Sequence, residues 1–172
     1  MVAVTTTSGS TSCDPLTAIE FNEGNATALE YQKVVGTGTD VWPPSPVAYS
    51  WSLTCASTDD LATWFQTPTN RDAFAHISHT FAHLSLNNAT YSDANREIFF
   101  NKQWLSQVGI SGASKFSPNG LIPPAITGLH NGDAIKAFMD NGITAVVGDN
   151  TRPVLMNQVR NHPWLRSWST CL

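Results

Sequence analysis

The sequence is poor in charge. Only 13% of its 172 residues are Asp, Glu, Lys or Arg, against roughly 25% in an average globular protein. The basic residues form no run and the formal net charge is −4, which argues against a nucleic-acid partner. No apolar run approaches the roughly 20 residues of a membrane span. The length and the hydrophobic content of 41% suit one domain with a core.

Cysteine is also scarce. Cys13, Cys55 and Cys171 form no CxxC pair, and their odd number means that at least one is free or pairs outside this chain. The N-terminus lacks the charged and apolar regions of a secretory signal peptide. The glycosylation acceptor patterns Asn25-Ala26-Thr27 and Asn88-Ala89-Thr90 nevertheless indicate an extracellular or cell-wall location. We therefore expect a piece of a longer secreted protein.

The pattern of the chain changes near residue 50. Residues 1–50 form an irregular lead-in rich in Thr, Ser and Pro, and residues 51–172 contain alternating strand and helix patterns. Such alternation predicts a parallel sheet or barrel, with functional groups at the C-terminal ends of the strands. A short helix capped at 58–60 is followed by a predicted strand at 74–78 and by a helix capped by Ser92 or Asp93 and stopped by Gly109. An extended run from Ile110 then leads to a predicted helix from Asn131 to Gly142 and a buried strand at 143–147.

Two histidines follow the first predicted strand. His79-Thr80-Phe81-Ala82-His83 places imidazoles at i and i+4, which converge on one metal ion if the second lies in a helical turn. The spacing alone favours ordinary surface or core histidines, whereas the position after a strand favours a pair of ligands. His76 lies on the strand itself, and we assign it to the core or to a supporting contact.

The residues around these histidines carry a resemblance. The H-T-x-x-H motif, Leu84-Ser85-Leu86 and a capped helix containing Glu97 resemble the second motif of the NodB-homology polysaccharide deacetylases. Leu121-Ile122-Pro123-Pro124 stands where that family has an Arg-Pro-Pro loop. The segment at 146–153 is similar to the variant in fungal galactosaminogalactan deacetylases, a group of extracellular serine-rich proteins. The resemblance covers about residues 57–165 and implies an α/β fold, a partial, distorted (β/α) barrel.

The resemblance also implies a chemistry. Zn²⁺ or another divalent metal would be bound by His79, His83 and an aspartate outside this chain, and the substrate would be an N-acetylhexosamine polysaccharide that loses its acetyl groups. Asp149, Asn150 and Arg152 follow the last predicted strand, where a carboxylate and a guanidinium can bind sugar hydroxyls. A local turn with a surface Asp–Arg pair explains these three residues equally well.

The sequence departs from the family in its catalytic residues. Thr58-Asp59-Asp60 mimics part of the family's Thr-Phe-Asp-Asp strand but lies only 19 residues before His79, and a strand–helix–strand unit needs about 30. We interpret it as a helix cap. Ile122 replaces the loop arginine, and neither the catalytic base nor the acid is identified. We therefore expect little or no activity from the isolated chain. The alternatives are a non-catalytic carbohydrate-binding or cell-wall protein with a degenerate deacetylase fold, and a fragment without a stable fold.

Overall fold

The computed structural model describes Cys13, Phe21, Thr27, Ala28 and residues 31–149. Within 31–149 three short strands form one parallel sheet, in which β2 lies between β1 and β3. Over this part of the chain the sheet is open, and it matches the expected partial, distorted (β/α) arrangement. The strands are β1 (His76–Ser78), β2 (Phe116–Leu121) and β3 (Ala145–Val146).

Four α-helices lie between and before the strands of the described part. They are α1 (Asp60–Gln66), α2 (Pro68–Arg71), α3 (Tyr91–Gln107) and α4 (Gly132–Asp140), and short 3₁₀ turns occur at Ala56–Thr58, Ile110–Gly112 and Pro124–Ile126. The longest of them, α3, packs against α4 and also contacts β1. None of the described helices combines the length and the hydropathy that crossing a lipid bilayer requires.

The helix starts test the predicted caps. The Asp59 side chain accepts a hydrogen bond from the Ala62 N–H at 2.6 Å, so the helix-cap interpretation of residues 58–60 is confirmed. Asn131 caps α4 as predicted. For α3 the prediction is wrong: Thr90 is the cap, and its hydroxyl accepts from the Asp93 N–H at 3.1 Å. The hydroxyl of a threonine can serve this role as well as that of a serine.

The predicted helix stops are confirmed, but the strands that follow are shorter than expected. Gly109 and Gly142 have φ of 82° and 74°, the left-handed conformation that ends many helices. Ile110 then begins a 3₁₀ turn, and β2 starts only at Phe116. The expected buried strand at 143–147 is wrong in extent and in burial. In the described part of the chain β3 covers Ala145–Val146 and pairs with β2, and Ala145 and Val147 are exposed.

The core has two parts, and α3 contributes residues to both. The first is aromatic, and the second joins α3 to α4 and β2. Trp42, from the lead-in, is 2% exposed and contacts the rings of Trp51, Phe81 and Phe100 at 5.3–6.3 Å between centroids. The lead-in therefore contributes to the main core. Helical spacing in the sequence places Trp64 beside an apolar face, which predicts a core position, but 42% of it is exposed.

A disulfide and a buried ion pair are among the long-range links between the lead-in and the rest of the domain. Cys13 and Cys55 form a disulfide, while Cys171 lies outside the described residues. The buried Lys33 ammonium pairs with Asp133 at the start of α4, and Lys33 also forms an isolated parallel bridge with Asn131.

Candidate functional site

The C-terminal ends of β1 and β2 bring two loops together. The register pairs Ser78 with Leu121, so the residues that follow them, His79 and Ile122, leave the sheet side by side. Farther along, the Leu86 N–H donates to the Thr127 hydroxyl at 2.9 Å. The loop after β1 and the loop after β2 therefore form one surface at the edge of the sheet where the sequence predicts functional groups.

His79 is held by a backbone carbonyl of the neighbouring loop. Its Nδ1 lies 2.7 Å from the carbonyl oxygen of Ile122. A carbonyl oxygen can only accept, so Nδ1 carries the hydrogen and Nε2 keeps a lone pair. A carbonyl partner of this kind is typical of histidines that bind metal through the other nitrogen.

The structure brings His79 and His83 together, although not by a helical turn. Their ring centroids are 4.8 Å apart with an interplanar angle of 67°, and both residues are exposed. Thr80 and His83 have φ of 69° and 62°, so the helical turn assumed from the i, i+4 spacing is wrong. The left-handed residues turn the chain back on itself and thereby bring the rings close.

The described residues fit part of a metal site. Two imidazoles match the nitrogen ligands that zinc prefers, whereas zinc sites in proteins use at least three protein ligands. Among residues 31–149 and the few described before them, no group of three His, Cys, Asp or Glu side chains is placed to hold a metal ion. The described residues therefore offer at most two of the ligands that such a site needs, and a further ligand would have to come from outside them.

His76 makes a different contact from the other two histidines. Its Nε2 donates to the Arg71 carbonyl oxygen at 2.8 Å, and its ring packs against Phe65 with centroids 5.8 Å apart. His76 thus supports the strand–helix junction, in keeping with the supporting contact expected for it.

Asp149 lines a separate small pocket on the loop after β2. The other lining residues include Asn87, Thr127 and His130, but neither His79 nor His83. The buried Nδ1 of His130 has no hydrogen-bond partner within the described structure. Of the three residues predicted to bind substrate, Asp149 thus lies near the sheet edge but apart from the histidine pair. Asn150 and Arg152 lie outside the described residues.

Backbone strain is concentrated in these two loops. Thr80 and His83 in the first and Ala125 and Ile126 in the second are the non-glycine residues with positive φ in the described part of the chain. Such conformations cost free energy and cluster at functional sites. For the β-branched Thr80 and Ile126 the conformation is especially uncommon.

The buried carboxylate of Glu97 was not among the predicted site residues. This side chain, on α3, accepts from the Phe81 and Ala82 N–H groups, which lie between the two histidines. Burial raises the pKa of Glu97, although the hydrogen bonds from Ala82 and from the Trp42 ring oppose that rise. The sequence contained a signal for this burial, because Glu97 directly precedes Ile98, and apolar residues of this helix such as Ala94 and Ile98 are expected to face the core.

Comparisons with known proteins identify the family of this chain. Residues 1–170 match the family described as the Agd3 deacetylase domain. The crystal structure of Agd3, titled a novel carbohydrate deacetylase, superposes with a TM-score of 0.79 at 59% sequence identity. The alignment covers 83% of this chain and 21% of that chain, so this sequence spans about a fifth of the solved protein. Among curated proteins nothing matches. The chain belongs to the Agd3 deacetylase domain family.

Proposed function

We propose that this chain supplies two metal ligands, His79 and His83, to a metal-dependent polysaccharide deacetylase that removes N-acetyl groups from an N-acetylhexosamine polymer of the galactosaminogalactan or chitin type. The carrying observation is the pair of imidazoles 4.8 Å apart at the C-terminal end of β1. The membership in a carbohydrate deacetylase family supports the reaction class.

The tautomer of His79 supports its role as a ligand. Because its Nδ1–H is used by the Ile122 carbonyl oxygen, the ring is fixed in orientation and offers Nε2 to an ion. A metal can use only a nitrogen that is free of its proton. The exposure of both rings leaves them accessible from solvent.

The proposed ion is Zn²⁺ or another divalent metal. The chemistry that zinc supplies at such sites is polarisation of a carbonyl and activation of water near neutral pH. The chain itself contributes binding and orientation: His79 and His83 hold the ion, and the Ile122 carbonyl keeps the His79 ring in place. The third ligand, the base and the acid are assigned to parts of the protein outside the described residues.

Substrate binding is proposed for the end of β3. Asp149 lies in a pocket beside Asn87 and His130, and its carboxylate can accept hydrogen bonds from sugar hydroxyls. We extend this role to Asn150 and Arg152, the next polar residues of the chain. Because a sugar polymer is longer than one pocket, it would pass over both this pocket and the histidine pair.

A zinc titration of the chain and three variants tests the metal site. We expect His79→Ala and His83→Ala each to weaken zinc binding at least tenfold, because each removes a ligand. His76→Gln is the matched control, since His76 already donates to Arg71 and should leave the affinity unchanged. Equal zinc affinity of all four proteins in isothermal titration calorimetry would contradict the proposal.

An acetate-release assay tests the reaction. The isolated chain should release little or no acetate from N-acetylated galactosamine or glucosamine oligomers, because the catalytic base and the third ligand are not identified in it. A longer protein that contains this domain should release acetate, and His79→Ala and His83→Ala in that protein should abolish the release. Robust turnover by the isolated chain would show that its catalytic site is complete.

A second candidate is a non-catalytic carbohydrate-binding or cell-wall-associated protein. The exposed rings of Trp64 and Phe74 favour it, because they lie together at a ring-centroid distance of 5.9 Å on the surface of the domain. Binding of N-acetylhexosamine oligomers without any zinc binding would support this candidate over the first.

A further inference from the structure

We propose that Glu97 is a positioning residue, which holds the loop between His79 and His83 in the shape that brings their rings together. The inference rests on the proposed metal site for its functional meaning. Its structural basis is independent of that site, because Glu97 touches the backbone of the loop rather than either histidine.

The carboxylate of Glu97 joins three segments of the chain. Its Oε2 accepts from the Phe81 N–H at 3.1 Å and from the Ala82 N–H at 2.9 Å. Its Oε1 accepts from the Trp42 ring Nε1–H at 2.8 Å. The two backbone donors are consecutive and lie midway between the histidines, so any movement of the carboxylate would move the turn that they form.

Burial makes this arrangement demanding. Glu97 is 0% exposed, and the groups that act on its carboxyl oxygens among the described residues are three N–H groups and the Thr80 hydroxyl rather than a cation. A carboxylate is expensive to bury unless its oxygens are fully hydrogen-bonded. All three N–H donors point at acceptor oxygens. A glutamine would replace one of these oxygens by an NH₂ group, which cannot accept a hydrogen bond from an N–H donor. The geometry therefore favours an oxygen acceptor at both positions over the amide of a glutamine.

The backbone of the loop explains why such a clamp is needed. Thr80, directly before Phe81 and Ala82, has φ of 69°, and His83, directly after them, has φ of 62°. A left-handed conformation is uncommon for residues other than glycine, more so for the β-branched Thr80 than for a histidine, and it persists only when surrounding contacts hold it. Because the two hydrogen bonds to Glu97 lie between the strained residues, they are placed to offset that cost.

The chain offers a matched control one helical turn earlier. Asp93 is also buried on α3, and it accepts from the Val41 N–H at 2.7 Å and the Trp42 N–H at 3.0 Å. It thus holds the lead-in as Glu97 holds the histidine loop. Loss of either carboxylate should destabilise the domain, but only loss of Glu97 releases Phe81 and Ala82.

The experiment compares Glu97→Gln with Asp93→Asn in the full 172-residue chain. Urea unfolding of the zinc-free proteins measures stability, and titration with zinc against a chromophoric chelator measures affinity. We expect both variants to lose stability and only Glu97→Gln to bind zinc about 10–100-fold more weakly, as is typical when a supporting contact of a ligand is removed. Unchanged zinc affinity in Glu97→Gln, or an equal loss in Asp93→Asn, would overturn the proposal.

Two further arms keep the result interpretable. If Glu97→Gln does not fold, Glu97→Asp keeps a carboxylate but draws it back by one methylene, and its zinc affinity should still be below that of Asp93→Asn. If the wild-type chain binds no zinc, the proposed function fails, while the positioning role is judged by NMR. The Phe81 and Ala82 amide signals and the His79 tautomer should then change in Glu97→Gln, and unchanged signals would refute the role.

Discussion

Removing one partner of the ion pair between Lys33 and Asp133 should strongly destabilise the domain. The two side chains are only 0% and 7% exposed, and the same Asp133 oxygen also accepts from the Gly36 N–H at 2.9 Å. Truncating one member of such a pair leaves a buried charge without its partner, which costs about 3–5 kcal/mol. With a urea m-value of about 1–3 kcal/mol/M, the unfolding midpoint should fall by about 1–5 M.

A double-mutant cycle isolates the pair. Asp133→Asn leaves the Lys33 ammonium buried without its carboxylate partner. Lys33→Met leaves the Asp133 carboxylate with the hydrogen bond from the Gly36 N–H. The double variant contains neither charge, so its loss of stability should be clearly smaller than the sum of the two single losses. Single losses below about 1 kcal/mol, or losses that simply add, would refute the claim of a buried, coupled pair.

The pH dependence of the same pair has a definite sign. Burial alone would raise the pKa of Asp133, but the hydrogen bonds from Lys33 and Gly36 and the charge of Lys33 together hold it below the ordinary 3.8. The folded state therefore binds this proton more weakly than the unfolded state. The stabilisation is present above about pH 3.8 and is lost as the pH falls through the lower folded pKa. The stability difference between wild type and Asp133→Asn should shrink correspondingly in acid.

Three other predictions concern backbone, covalent and acid–base effects. Gly128→Ala should cost about 2–5 kcal/mol in urea unfolding, because φ is +89° and the new Cβ would lie 2.6 Å from the Cβ of the buried Leu86. The control Gly36→Ala, with φ of +77° and open space around it, should cost only about 1–2 kcal/mol. Equal losses in the two variants would contradict the clash at Gly128. Replacing Cys13 and Cys55 by alanine should cost about 4 kcal/mol for a loop of 42 residues, and an unchanged urea midpoint would contradict that linkage. Burial raises the pKa of Asp93 above 3.8, so the difference in free energy of unfolding between wild type and Asp93→Asn should decrease as the pH rises through and above 3.8. A difference that grows over this pH range in urea unfolding would contradict a raised pKa.

Local signals in the sequence were sufficient for the class of the fold and for the helix ends discussed above, except for the start of α3. Asp59 and Asn131 cap helices as their residue types predict, and Gly109 and Gly142 end helices with positive φ. These features depend on hydrogen bonds and sterics within a few residues, so they are visible without the rest of the chain. The parallel sheet likewise follows from the alternation of strands and helices.

Long-range contacts were less visible in the sequence. The spacing of His79 and His83 suggested a helical turn, whereas the loop contains two left-handed residues and is held by the hydrogen bond that the His79 Nδ1–H donates to the Ile122 carbonyl oxygen. That bond joins residues 43 positions apart, and no local propensity encodes it. The same reason explains why Trp64, assigned to the core from its helical position, is 42% exposed.

The sequence by itself determined the alternation of elements, the family resemblance and the identity of the histidine pair, because each is written in residue types at short spacing. Tertiary structure alone decided that the rings of His79 and His83 meet, that the Ile122 carbonyl sets the tautomer, and that Glu97 holds the turn between them. The physical reason is that a side chain's partners are set by which segments the parallel sheet and α3 bring side by side, and those segments are far apart along the chain.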